Sequence, residues 1–205
     1  MSRILLIHGW CLDATLWEPV ITSLPGHQCH TLDLGYFGPP QLHIPLHIDL
    51  AVGHSFGCLW AMQNPQLEGI PLVSVNGFHR FSAAPDFPQG TPVRVLERML
   101  RRLREAPEEV LQAFLTRCGG PPLPASFDAR RLEEDLWRLL HDDARSLRER
   151  QPARALSADD DPLLPVTLSE QMFPGVLQRL PQGGHLLPLT APQTVAEVIR
   201  QGLAP

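Results

Sequence analysis

The sequence predicts an α/β domain: a mostly parallel sheet whose strands alternate with helices, carrying one helical insertion. Three observations predict it. Short apolar runs without polar alternation suit strands buried on both faces of a parallel sheet. Amphipathic stretches at helical spacing separate them. From about residue 80 to 150 the alternation stops and helix follows helix.

Residues 4–7 (Ile-Leu-Leu-Ile) read as the first strand, and residues 29–34, 47–53 and 70–76 as the next three. Residues 153–158 and 176–180 are weaker candidates for the last two. In residues 12–24, Leu12, Leu16, Val20 and Leu24 share one helical face. Residues 56–64 form a second helix. Residues 191–203 form the final one, with Val195, Val198, Ile199 and Leu203 at helical spacing. Strands alternating with helices imply a parallel sheet. In the insertion, helices are expected at 92–104, 107–117 and 128–149. The expected organisation is one domain, 1–205, with a cap at 80–150 between core segments 1–79 and 151–205.

A chain of 205 residues buries one sizeable core and leaves little room for a second. Its 43% apolar and 19% charged content is that of a soluble globular protein. A formal charge of -5 argues against a general nucleic-acid binder, and all basic side chains are arginine. Many of the 22 prolines sit in short clusters such as Gly38-Pro39-Pro40 and Gly120-Pro121-Pro122, which read as loops. Cys11, Cys29, Cys58 and Cys118 show no metal-binding spacing and read as reduced thiols. The apolar run at the N-terminus is too short for a signal peptide, and no segment is long enough to span a membrane. The expectation is a cytoplasmic monomer without cofactor or metal.

The chemistry concentrates at Gly53-His54-Ser55-Phe56-Gly57. In G-x-S-x-G the serine sits on a sharp turn from strand to helix, and the context here is an apolar strand before it and a helical stretch after it. A chance glycine turn is the alternative reading. A serine nucleophile needs a base and an acid, following it in the order Ser, Asp or Glu, His. Of nine histidines, His185 in Gly183-Gly184-His185 stands ahead of the final helix on a glycine loop that can carry the imidazole back over the sheet. Asp159-Asp160-Asp161 follows the strand at 153–158 and offers three acids. A developing oxyanion needs preorganised donors. The backbone N–H of Phe56 and that of Trp10, in the loop after the first strand, are the candidates. The Trp10 indole is either a core aromatic or a wall of the pocket.

Taken in order, His8-Gly9-Trp10, Asp33 to Gly38, Gly53 to Gly57, Asp161-Pro162-Leu163-Leu164-Pro165 and Gly184-His185 make the chain resemble the α/β-hydrolase superfamily over nearly its whole length. The resemblance prefers Asp161 as triad acid, because it stands four residues before Pro165; Asp160 remains open. Within the superfamily the chain is similar to the esterases of biotin synthesis that remove the methyl ester of pimeloyl-acyl carrier protein. The likeness rests on the tryptophan after His-Gly, on Phe81-Ser82-Ala83 and on Phe114-Leu115. It implies an acyl pocket lined by Trp10, Phe78, Phe81 and Phe114. Arg94, Arg98, Arg101 and Arg102 would then form a basic helix face able to dock an acidic carrier; a solvated face with intrahelical ion pairs is the other reading.

The chain departs from the family in four respects. The sheet is truncated at its N-terminal edge. The helix before the nucleophile strand is missing or reduced to a turn. Cys58 replaces a second glycine after the elbow. Glu109 and Ala113 stand where arginines are expected. A thioesterase or generic small esterase, and a non-catalytic binding protein on the same fold, are the alternative functions.

Overall fold

The computed structural model describes residues 1–203. Six strands form one wholly parallel sheet: β1 (Arg3–Ile7), β2 (Gln28–Leu32), β3 (Leu50–His54), β4 (Leu72–Val75), β5 (Arg154–Ala158) and β6 (Leu177–Leu180). Their spatial order is β2-β1-β3-β4-β5-β6, with registers such as Ile7 beside Gly53 and His54 beside Val75. The apolar runs mark the middle of the sheet: β3 and β4 are buried throughout, whereas β2 and β6, at the two edges, are partly exposed. Every strand points the same way, so the loops after β1, β3, β4, β5 and β6 gather at one edge of the sheet. Ligand sites of open parallel sheets form at that edge.

The helices are α1 (Glu18–Thr22), α2 (Phe56–Gln63), α3 (Val93–Glu105), α4 (Pro107–Cys118), α5 (Ala129–His141), α6 (Val166–Met172), α7 (Leu187–Thr190) and α8 (Pro192–Leu203). Helices α3, α4 and α5 lie between β4 and β5 in the chain. The amphipathic pattern of α3 and α5 buries Leu96, Leu100 and Leu103 on one, and Leu132, Leu136 and Leu139 on the other. No helix intervenes between β2 and β3. Among the described residues, no helix is long and apolar enough to cross a membrane.

Several expected boundaries move for identifiable reasons. The stretch 12–24 is a 3-10 turn at Ala14–Trp17, capped by the Asp13 carboxylate on the Thr15 N–H, followed by α1. Pro19 in the first turn of α1 lacks the amide that would continue one helix through both. Leu12, Leu16, Val20 and Leu24 are all buried nonetheless. The helix expected over 128–149 stops at His141. The following residues are claimed by the segment after β4: the Ala144 N–H donates to the His79 carbonyl (2.8 Å), and Arg80 pairs with Asp143 (2.6 Å). The third strand begins at Leu50, and the fourth loses Ile70 and Pro71 at its start and Asn76 at its end. The second ends at Leu32, after which Asp33 bridges to Gln41. Helices α6 and α7 fall where the sequence pattern predicts no helix.

The glycines around Ser55 serve close approach. A Cβ on Gly57 would lie 2.4 Å from the Ile7 carbonyl oxygen and 2.6 Å from that of His8; one on Gly53 would lie 2.4 Å from the Cys58 Cα. Positive φ belongs to Ser55 itself (φ 52, ψ -123). Gly57→Ala should therefore cost about 3 kcal/mol or more, because backbone carbonyls of β1 and its loop cannot withdraw as a side chain can. Gly38→Ala, at an open position, should stay within about 0.5 kcal/mol. Urea unfolding of both variants checks the contrast, and equal midpoints would overturn it.

Candidate active site

The strand-to-helix turn after β3 holds Ser55 in a conformation L-residues rarely adopt. Its N–H is tied to the Val75 carbonyl (3.0 Å), so the turn is anchored on β4. The His185 Nε2 lies 3.0 Å from Ser55 Oγ, and its Nδ1 lies 2.8 Å from Asp161 Oδ2. With Nδ1 protonated toward the carboxylate, Nε2 is left to accept the serine proton. The second oxygen, Asp161 Oδ1, accepts from the Leu163 N–H (2.7 Å) and the Leu164 N–H (3.2 Å). Ser55, Asp161 and His185 are all buried. Asp160, the alternative acid, does not reach the imidazole: its Oδ1 accepts from the Gly184 N–H (2.7 Å), shaping the loop that carries His185.

His54, the residue before the serine, does not line the cavity; its ring packs against those of Trp17 and His185. Its Nε2 donates to the His185 carbonyl (2.9 Å), and burial holds its pKa well below the ordinary imidazole value, so it stays neutral. His8 likewise staples backbone together: its Nε2 accepts from the Leu34 N–H (2.9 Å) and its Nδ1 donates to the Gly9 carbonyl (2.8 Å). That fixes the start of the loop bearing Trp10.

The Phe56 N–H opens α2, and neither it nor the Trp10 N–H donates to a protein acceptor among the described residues. Both side chains are instead tied to α5. The Trp10 indole donates to the Leu132 carbonyl (2.8 Å), and the Arg138 guanidinium lies over the Phe56 ring at 4.9 Å. Arg138 is held in turn by Asp135 and Asp142 (3.2 and 3.0 Å) and by Gln63 (3.0 Å). Helix α5 thus braces the turn and the first loop together.

Above the serine opens a cavity of about 750 Å³, lined by apolar side chains from the first loop and from α3, α4 and α5. Trp10, Phe78, Phe81 and Phe114 all line it; Trp10 meets Phe114 edge-on at 4.8 Å, and Phe78 meets Phe81 at 4.9 Å. Of the arginines singled out in the sequence, Arg98 and Arg102 line the cavity, whereas Arg94 and Arg101 do not. Arg102 pairs with Glu109 across the α3–α4 corner (2.8 Å). Arg94, Arg98 and Arg101 have no ion-pair partner among the described residues, so intrahelical pairing does not account for them.

Cys58, in the place of a second glycine, is accommodated by Gly77: a Cβ there would lie 2.5 Å from that of Cys58. Burial pushes the Cys58 and Cys118 thiols up to about 12, so neither is a nucleophile at neutral pH. Among the described residues, no three His, Cys, Asp or Glu side chains converge as a metal site.

A family model described as the alpha/beta hydrolase family matches residues 4–198. The pimeloyl-[acyl-carrier protein] methyl ester esterase of Pectobacterium atrosepticum is 32% identical over an alignment of 132 residues that covers 56% of this chain and 51% of that protein. The chain therefore spans about half the length of this curated relative. In fold, the chain is similar to the esterase EaEST from Exiguobacterium antarcticum (TM-score 0.82, 14% identity, covering 99% of this chain and 92% of the other). It is also similar to BioG from Haemophilus influenzae (TM-score 0.61, 20% identity, covering 90% and 88%).

Proposed function

The chain belongs to the alpha/beta hydrolase family, and on that premise we propose that it is a serine carboxylesterase working through Ser55, His185 and Asp161. One observation carries this reading: the unbroken line from Ser55 Oγ to His185 to Asp161, at 3.0 and 2.8 Å, beneath an apolar cavity. In this mechanism Ser55 Oγ attacks the ester carbonyl carbon while His185 Nε2 takes its proton. The C–O bond to the leaving alcohol breaks as the imidazolium returns that proton to the alcohol. Water, deprotonated by His185, then opens the acyl-enzyme and restores the serine. Asp161 keeps the imidazole in the right tautomer and stabilises its charged form. The Phe56 and Trp10 N–H groups receive the oxyanion.

The substrate that fits best is the methyl ester of a pimeloyl chain on acyl carrier protein. Support comes from the relative named above, from aromatic walls suited to an acyl chain, and from unpaired Arg98 at the cavity and Arg94 and Arg101 elsewhere on α3. A second reading, a generic small esterase or thioesterase, is favoured by Glu109, which brings negative charge to the cavity rim and neutralises Arg102. Supplying this gene to a biotin auxotroph that lacks its own esterase separates the two. Growth without biotin is the expected result. Failure to grow despite good expression, with turnover of short p-nitrophenyl esters, selects the generic esterase. No labelling by a fluorophosphonate selects a non-catalytic binding protein.

A further inference from the structure

We propose that Asn76 is a positioning residue that sets the base against the acid, an assignment that rests on the serine-esterase reading above. Asn76 directly follows β4, is fully buried and has φ 42, a conformation asparagine tolerates better than most residues. Its side-chain amide is used completely. Oδ1 accepts from the Ala158 N–H (3.0 Å), while Nδ2 donates to the Gly184 and the His185 carbonyls, both at 2.9 Å. One side chain thus joins the last residue of β5, three before Asp161, to the peptide of His185.

The sheet alone does not hold these two segments in register. The β5–β6 ladder ends with Ala158 beside Leu180, and one further bond runs from the Asp159 N–H to the Leu180 carbonyl (2.8 Å). Beyond it, among the described residues, the two loops meet through side chains and not through backbone pairing: the Gly184 N–H donates to Asp160 Oδ1 (2.7 Å), and His185 stands five residues past the end of β6 on two positive-φ glycines. A glycine loop of that kind has many backbone states to choose from. Asn76 and His54 both donate to the His185 carbonyl, which fixes the plane of that peptide and the direction in which the imidazole leaves it. Only an amide supplies the required acceptor and both donors without charge. Aspartate would turn a carboxylate oxygen toward two carbonyls.

Asn76→Ala is expected to lower kcat for p-nitrophenyl butyrate about 30- to 100-fold, the scale of a displacement near 1 Å, with KM within about 2-fold. The rate of fluorophosphonate labelling of Ser55 should fall in parallel. Added to His185→Ala, the same change should lower the residual activity by less than about 2-fold, since a residue acting through the imidazole has nothing left to position. Asn76→Asp keeps the volume and the acceptor for Ala158, and should reproduce the pattern if the alanine variant misfolds. A wild type that labels normally, beside an Asn76→Ala enzyme of unchanged kcat, overturns this assignment alone. So does an undiminished further loss in the His185→Ala background, which is the mark of a merely structural lesion. A wild type that fails to label overturns the esterase reading and this assignment with it.

Discussion

Ser55→Ala is expected to lower kcat for an activated acyl ester by about 10^4- to 10^6-fold, with little change in KM. The cavity, the imidazole and the candidate oxyanion donors all survive the change. Only the oxygen that forms the acyl-enzyme is lost, and water must then attack the substrate directly. Because Ser55 and His185 act as one unit, His185→Ala should cost about as much, and the double variant hardly more. Steady-state hydrolysis of p-nitrophenyl butyrate measures this. The mass of the fluorophosphonate adduct identifies the labelled residue. Activity in Ser55→Ala within about 10-fold of wild type would remove Ser55 from the mechanism.

Asp161→Asn should lower kcat by about 10^4-fold, whereas Asp160→Asn should cost no more than about 10-fold. Asp161 Oδ2 receives the His185 Nδ1–H, and Oδ1 is already held by two backbone amides. An amide at 161 would keep its oxygen on those backbone donors and present its NH2 group to the imidazole, forcing the proton onto Nε2. The imidazole could then no longer accept from Ser55. At 160 the carboxylate meets only the Gly184 N–H, which an asparagine oxygen can accept equally well. Kinetics of the two variants under identical conditions decide between the acids, and the reverse order of losses would exchange their roles.

The parts of the site differ in how legible they are along the chain. Ser55 announces itself, because its turn demands glycines at fixed offsets and an apolar strand just before it. His185 needed only its glycine loop and its place ahead of α8. Asp160 and Asp161 are adjacent carboxylates, and along the chain only the resemblance, through the spacing to Pro165, prefers Asp161. Which one faces the imidazole depends on how the loop after β5 closes on the Leu163 and Leu164 amides. The supporting residues carry still less local signal. Asn76 looks like an ordinary turn residue after a strand, and His54 like a spectator beside the serine. Their partners lie 109 and 131 residues away. Arg102 read as part of a free basic face until folding set Glu109 against it.

By itself, the sequence determined the class of fold, the existence of the six strands and their order along the chain, and the strand-to-helix turn that carries Ser55, the proposed nucleophile. These follow from spacing along the chain: unbroken apolar runs for strands buried on both faces, the 3.6 period for helices, and glycines where backbones must touch. Only the tertiary structure decided where the helix at 128–149 stops, which aspartate meets His185, and which arginines remain unpaired. It alone brought Asn76 and His54 onto the loop that carries His185. Each of these is a contact between segments far apart in the chain, chosen by competition for buried hydrogen-bond partners once the sheet has brought its strand ends together.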